Sequence, residues 1–108
     1  MNFEHNKKIR ICFDVDGTII HQVGEKIDTP RYEIVALFQT LSALGCDMYL
    51  WSGSGEDWAE SWGRKLALKA TVVPKGSFRP DICFDDCIVE LATVNVRVRR
   101  FNNQRKRQ

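Results

Sequence analysis

The sequence predicts an α/β domain built on a mainly parallel sheet of about five strands flanked by helices. Short apolar runs of strand length alternate with longer stretches of helical period, the pattern of strand–helix–strand units. No internal repeat and no Ser- or Pro-rich linker interrupts that alternation. A length of 108 residues holds one domain, spanning 1–108.

The elements follow in order. A first strand is expected over about Lys8 to Val15, with Ile9, Ile11 and Phe13 as its apolar set, ending at Asp16-Gly17. Thr18 to Ile27, with its Gly24-Glu25 turn, suits a small hairpin. Thr29 can cap the first helix, Pro30 fits its first position and Gly45 follows its end, while Ile34, Leu37, Leu41 and Leu44 recur on one face. Asp47 to Trp51 forms the second strand and breaks into Ser52-Gly53-Ser54-Gly55. Ser54 with Asp57 has capping-box spacing for a second helix reaching about Lys69, and Trp58, Trp62 and Leu66 share its core-facing stripe. Thr71 to Val73 and Asp81 to Phe84 make the third and fourth strands. A helix beginning near Cys87 would take Asp86 as its cap. Thr93 to Val98 alternates Val94, Val96 and Val98 with Asn95 and Arg97, as an edge strand with one wet face does.

With 44% hydrophobic and 28% charged residues, the composition is that of a soluble globular protein and excludes a disordered one. No apolar run approaches the roughly 20 residues that span a bilayer. The polar segment Met1 to Lys8 does not read as a signal peptide, so a cytoplasmic location without membrane contact is expected. Cys12 and Cys83 sit in apolar runs as small hydrophobes, and no CxxC pair suggests zinc or a disulfide framework. The net charge of +2 is uneven. Six basic residues and no acid lie from Arg97 onward, so the other ten Lys and Arg face all 14 acids and residues 1–96 carry −4. A basic C-terminal tail, about 99–108, therefore stands apart from an acidic body.

Three strand ends bear polar residues that a sheet does not need. In Asp14-Val15-Asp16-Gly17-Thr18 the period of two lets both carboxylates emerge on one side while Val15 packs inward, and such a pair favours a bound divalent cation or a shared proton. Asp85-Asp86 follows Ile82-Cys83-Phe84, and charges there need neutralising. Ligands of parallel sheets bind at the carboxyl ends of strands, so Asp14, Asp16, Asp85 and Asp86 are candidates for one hard-cation site. Ser52-Gly53-Ser54-Gly55 offers a hydroxyl and free N–H groups as an anion cradle. Lys75, in Pro74-Lys75-Gly76, adds a cation that offsets the carboxylates.

In this order, Asp14-Val15-Asp16-Gly17-Thr18, Ser52, Lys75 and Asp85-Asp86 resemble the four motifs of the haloacid dehalogenase (HAD) superfamily of phosphohydrolases, over Ile9 to about Asp86. The resemblance implies a Rossmann-like core and a Mg²⁺-dependent phosphatase working through an aspartyl phosphate. Asp14 would be the nucleophile and Asp16 the general acid and base. Ser52, Gly53 and Lys75 would bind the phosphoryl group. Mg²⁺ would be held by Asp14, the Asp16 carbonyl and Asp85, with Asp86 close by. Only 33 residues separate Thr18 from Ser52, and 22 separate Ser52 from Lys75, so no cap domain fits. An uncapped site suits a bulky phosphorylated substrate, or a lid supplied by a partner or a second copy. The motif order argues against a response-regulator receiver domain, whose lysine comes last. The alternative is a non-catalytic HAD-like scaffold that binds nucleic acid through its basic tail.

Overall fold

A computed structural model describes residues 7–22, 24 and 27–100. The elements are β1 (Arg10–Asp14), α1 (Tyr32–Ala43), β2 (Asp47–Trp51), α2 (Glu56–Lys65), β3 (Thr71–Val72), β4 (Ile82–Asp85) and β5 (Val94–Arg97). Every pairing is parallel and the strand order is β3-β2-β1-β4-β5, a small Rossmann-like sheet. The order reverses between β1 and β4, the place where open parallel sheets bind ligands at the carboxyl ends of their strands. Among the described residues no helix is long and apolar enough to cross a membrane.

Strand periodicity sorts the core into two faces. Ile11 and Phe13 lie in register with Met48 and Leu50 on one side and with Ile82 and Phe84 on the other. This face packs against Ile34, Val35 and Phe38 of α1 and Ala59 and Trp62 of α2. Phe13 stacks on Phe84 with centroids 4.4 Å apart. The alternate positions Cys12, Tyr49, Trp51 and Cys83 meet no helix. They pack against Val73, Phe78, Leu91 and Ala92 from the connections 73–81 and 86–93.

The two flanking helices lie on one side of the sheet. The β1–α1–β2 and β2–α2–β3 units step in the same direction across the sheet, so right-handed crossovers place both helices on the same face. The two later connections are too short for the dozen or more residues that a helical crossover takes. The opposite layer is therefore built of loops. Tyr49 and Trp51 hold Phe78 at 4.7 and 6.0 Å, and Arg79 pairs with Glu90 across the two loops at 3.2 Å.

Several local expectations are corrected. Arg31, not Thr29, occupies the N-cap of α1, and no side chain caps it. Thr29 and Pro30 instead run beside His21 and Ile20: the Thr29 carbonyl accepts the His21 N–H at 2.8 Å, and Pro30 bridges Ile20 in antiparallel fashion. Part of the predicted Thr18–Ile27 hairpin lies outside the described residues, as does most of the basic tail. Leu44 is 74% exposed, because α1 ends at Ala43 and Gly45 then turns away with φ +96°. Gly55, not Ser54, is the N-cap of α2, which stops at Lys65 rather than Lys69. No helix follows Asp86. β4 extends one residue further than expected, so that Asp85 closes the strand, and its Oδ1 accepts the Cys87 N–H at 2.9 Å in a turn. β5 is the expected edge strand, but Val94 and Val96 remain half in solvent because α1 does not reach over them.

Candidate active site

Asp14 ends β1 and Asp85 ends β4. The register Phe13↔Phe84 makes these aspartates neighbours across the two strands, on the loop-covered face. They are 3% and 1% exposed. Lys75, carried in by the connection 73–81, sits between them, with Nζ donating to Asp14 Oδ1 at 3.1 Å and lying 2.9 Å from Asp85 Oδ2. The second contact is an ion pair without hydrogen-bond geometry, so Asp85 Oδ2 is buried without a donor. One ammonium thus serves two buried carboxylates.

The charge states follow from that packing. Burial pushes the Asp14 carboxyl up to about 7, the Asp85 charge pushes the same way, and Lys75 pulls it back. The Lys75 ammonium is also shifted up: burial alone would lower it, but its contacts with Asp85 and Asp14 raise it above its ordinary 10.5. Cys83, whose thiol is pushed up to about 12 by burial and by Asp85 and Asp14, is inert packing. The donor set at Asp14 and Asp85 is carboxylate oxygen, one atom of it held by an ion pair alone, which fits a hard divalent cation.

Asp16 faces a different set of partners. Its Oδ2 accepts from Ser52 Oγ at 2.9 Å and from Ser54 Oγ at 3.0 Å, and its Oδ1 accepts from Trp58 Nε1 at 2.7 Å. Ser52 Oγ also accepts the Ser54 N–H at 2.9 Å. The expected capping role of Ser54 gives way to this bond. The Gly53 N–H has no partner among the described residues. Trp58 was read as core packing; its ring does rest against the core, but its indole N–H belongs to the site. Helical spacing alone does not show that, since a tryptophan stripe looks the same whichever way the N–H points.

Asp86 has a different counter-ion from the Asp14–Asp85 pair. Its carboxylate is held by Arg100 Nε at 2.6 Å and lies against Gly17. Asp85, Asp86 and Cys87 present ligand atoms within 4.8 Å of one another. Arg31 was missed altogether. It is buried, and its Nη1 donates to the Gly17 carbonyl at 2.9 Å while its own N–H meets the Ile19 carbonyl at 2.7 Å. A charged residue straight after Thr29-Pro30 was the only signal in the sequence.

Gly17 adopts φ +83°, and a Cβ there would collide with the Asp86 carboxylate. Gly17→Ala is therefore expected to cost about 1–3 kcal/mol of stability, from left-handed strain and the displaced carboxylate together. A denaturant midpoint equal to wild type would contradict this. The sequence, compared with family models, with curated proteins and with solved structures, matches none of them.

Proposed function

We propose that this protein is a Mg²⁺-dependent phosphomonoester hydrolase of the haloacid dehalogenase type, with Asp14 as nucleophile. The observation that carries the reading is the sharing of Lys75 by two buried carboxylates at the point where the strand order reverses. A fold gains nothing from burying two such charges with one counter-ion, because the desolvation cost exceeds their attraction to it. Arrangements of this kind occur where chemistry needs them.

In this reading an Asp14 oxygen attacks phosphorus, the bond from phosphorus to the leaving oxygen breaks, and Asp16 supplies that oxygen with a proton. Asp16 then takes a proton from water, which attacks phosphorus and releases phosphate from Asp14. Asp14, Asp85 and the Asp16 carbonyl would hold the Mg²⁺, which would supply neutralising charge for the phosphoryl oxygens. Asp86 stands outside this set because Arg100 already takes its carboxylate. Lys75 opposes the burial that favours the protonated form of Asp14. The Gly53 N–H and Lys75 receive phosphoryl oxygens, and Ser52 turns its hydroxyl from Asp16 to the phosphate as Asp16 becomes protonated. At rest Ser52 Oγ is one of two hydroxyl donors on Asp16 Oδ2, while Oδ1 accepts from Trp58 Nε1 alone.

The test is phosphate release from an aryl phosphate, with and without Mg²⁺. No turnover of that substrate, of sugar phosphates, of nucleotides or of phosphorylated oligonucleotides would sink the reading. Asp16→Asn is expected to form the phosphoenzyme from an activated donor and to hydrolyse it slowly. Acid-quenched protein from that variant should carry labelled phosphate, and a label that never appears would argue against separate roles for Asp14 and Asp16.

A further inference from the structure

Just beyond the carboxyl end of β4 a groove of about 750 Å³ opens beside Asp86. Arg97, Arg99 and Arg100 line it, together with Ile88. The volume lies within the range of small-ligand sites, about 300–1,000 Å³. Its charge is lopsided, with three guanidinium groups and the single carboxylate of Asp86. That carboxylate is bonded to Arg100 at 2.6 Å, and the Asp86 carbonyl receives Arg97 Nε at 3.4 Å. These two contacts fix two of the arginines in place. Arg99 has no hydrogen bond or ion pair among the described residues, and the groove keeps two positive charges beyond what Asp86 neutralises. Ile88, 82% exposed, offers an apolar surface alongside.

The groove is contiguous with the catalytic centre. Asp86 follows Asp85 directly, and its carboxylate lies against Gly17 of the loop that carries Asp14 and Asp16. An anionic group bound here therefore lies on the same side of the sheet end as the phosphoryl site. Guanidinium groups match phosphate oxygens in geometry as well as in charge. An exposed aliphatic side chain next to them suits the sugar or base between phosphates. The site is open among the described residues, which lets a chain continue out of it.

We infer that this arginine groove holds a second phosphate of the substrate, so that the favoured substrate is the end of a nucleic-acid single strand: a terminal phosphomonoester followed by phosphodiesters. The inference rests on Asp14 being the phosphoryl-transfer centre.

Arg99 is the residue to change, because it pairs with nothing in the catalytic machinery. For Arg99→Glu, kcat/KM on short oligonucleotides phosphorylated at the 5′ or the 3′ end is expected to fall about tenfold, mainly through KM, as loss of one well-placed phosphate contact does. The value for an aryl phosphate should stay within about twofold, since that substrate does not reach the groove. The oligonucleotide effect should shrink as salt is raised. Equal losses on both substrates, or none on the oligonucleotides, would overturn the groove. A nucleoside 3′,5′-bisphosphate processed as well as the oligonucleotides, and equally sensitive to Arg99, would overturn the strand preference. Fluorescence anisotropy with a labelled oligonucleotide separates the two levels of the argument. Binding that depends on Arg99 while no phosphate is released from anything overturns the catalytic reading and leaves a nucleic-acid groove. Aryl phosphatase activity with oligonucleotide affinity indifferent to Arg99 overturns the groove alone.

Discussion

Asp14→Asn is expected to lower kcat by on the order of a thousandfold or more, about 4 kcal/mol of barrier, while leaving the protein folded. Asparagine keeps the shape of the side chain and can still accept from Lys75. It lacks the anionic oxygen that would attack phosphorus in the proposed reaction, whose first step would then have no nucleophile. The same change should not weaken the fold. The wild-type carboxyl, pushed up to about 7 by burial and by Asp85, is most costly to the fold when ionised. Folding holds a proton that the unfolded chain, with its ordinary 3.8, has already released. This proton-linked stability is fully present below 3.8 and is lost as pH rises toward about 7. Asparagine removes that loss, so the Tm of the metal-free variant at alkaline pH should equal or exceed that of wild type. A variant that keeps more than about a tenth of wild-type kcat, losing less than about 1.4 kcal/mol, would rule out Asp14 as the nucleophile.

Lys75→Met should be the most destabilising single change at the site. It leaves Asp14 and Asp85 buried side by side with no cation between them. Breaking one partner out of a buried ion pair costs about 3–5 kcal/mol, and the lower end applies because the Lys75 side chain is 28% exposed. The pH dependence separates this from a packing defect. Without Lys75 the Asp14 carboxyl rises further, so the variant recovers stability when it is acidified enough to protonate that group, and loses most at alkaline pH. In wild type the Lys75 contribution is complete below its ordinary 10.5 and is lost only as pH rises through its elevated folded value. Thermal melts of both proteins at mildly acidic and mildly alkaline pH, with Mg²⁺ or with chelator, check this. The gap between them should narrow in acid and again on adding Mg²⁺, and a gap independent of both would mean that methionine simply packs badly.

Much of this arrangement was legible in the residues. Apolar runs ending in aspartate placed Asp14 and Asp85 at strand ends, and the alternation of periods supplied the parallel sheet that brings strand ends together. The direction of each side chain was not legible. Asp14 and Asp16 were expected to emerge together. The chain turns after Val15, however, and Asp16 faces Ser52, Ser54 and Trp58 while Asp14 faces Lys75. Thr29 and Ser54 carried capping signals, but tertiary bonds took both: Thr29 pairs through its backbone with His21, and Ser54 binds Asp16. Capping propensity is worth only about 1 kcal/mol, so such bonds override it easily. The helix expected after Asp86 failed on chain length, since eight residues must take the chain from β4 to β5 in parallel. Arg31 left almost no trace, because a buried arginine bonded to a backbone carbonyl has no sequence period to betray it.

The loop-built face gives the site an uneven mechanical character. The carboxylates stand on β1 and β4, in the middle of the sheet, where opening requires disruption of the helical core. Their counter-ion stands on a connection without regular structure, pinned by Phe78 against two aromatic rings and, at its far end, by Asp81 accepting the Arg10 N–H at 2.8 Å. A local excursion of that connection removes the positive charge from both carboxylates in one movement and leaves them at their posts. Their mutual repulsion then raises the local demand for a cation of any kind.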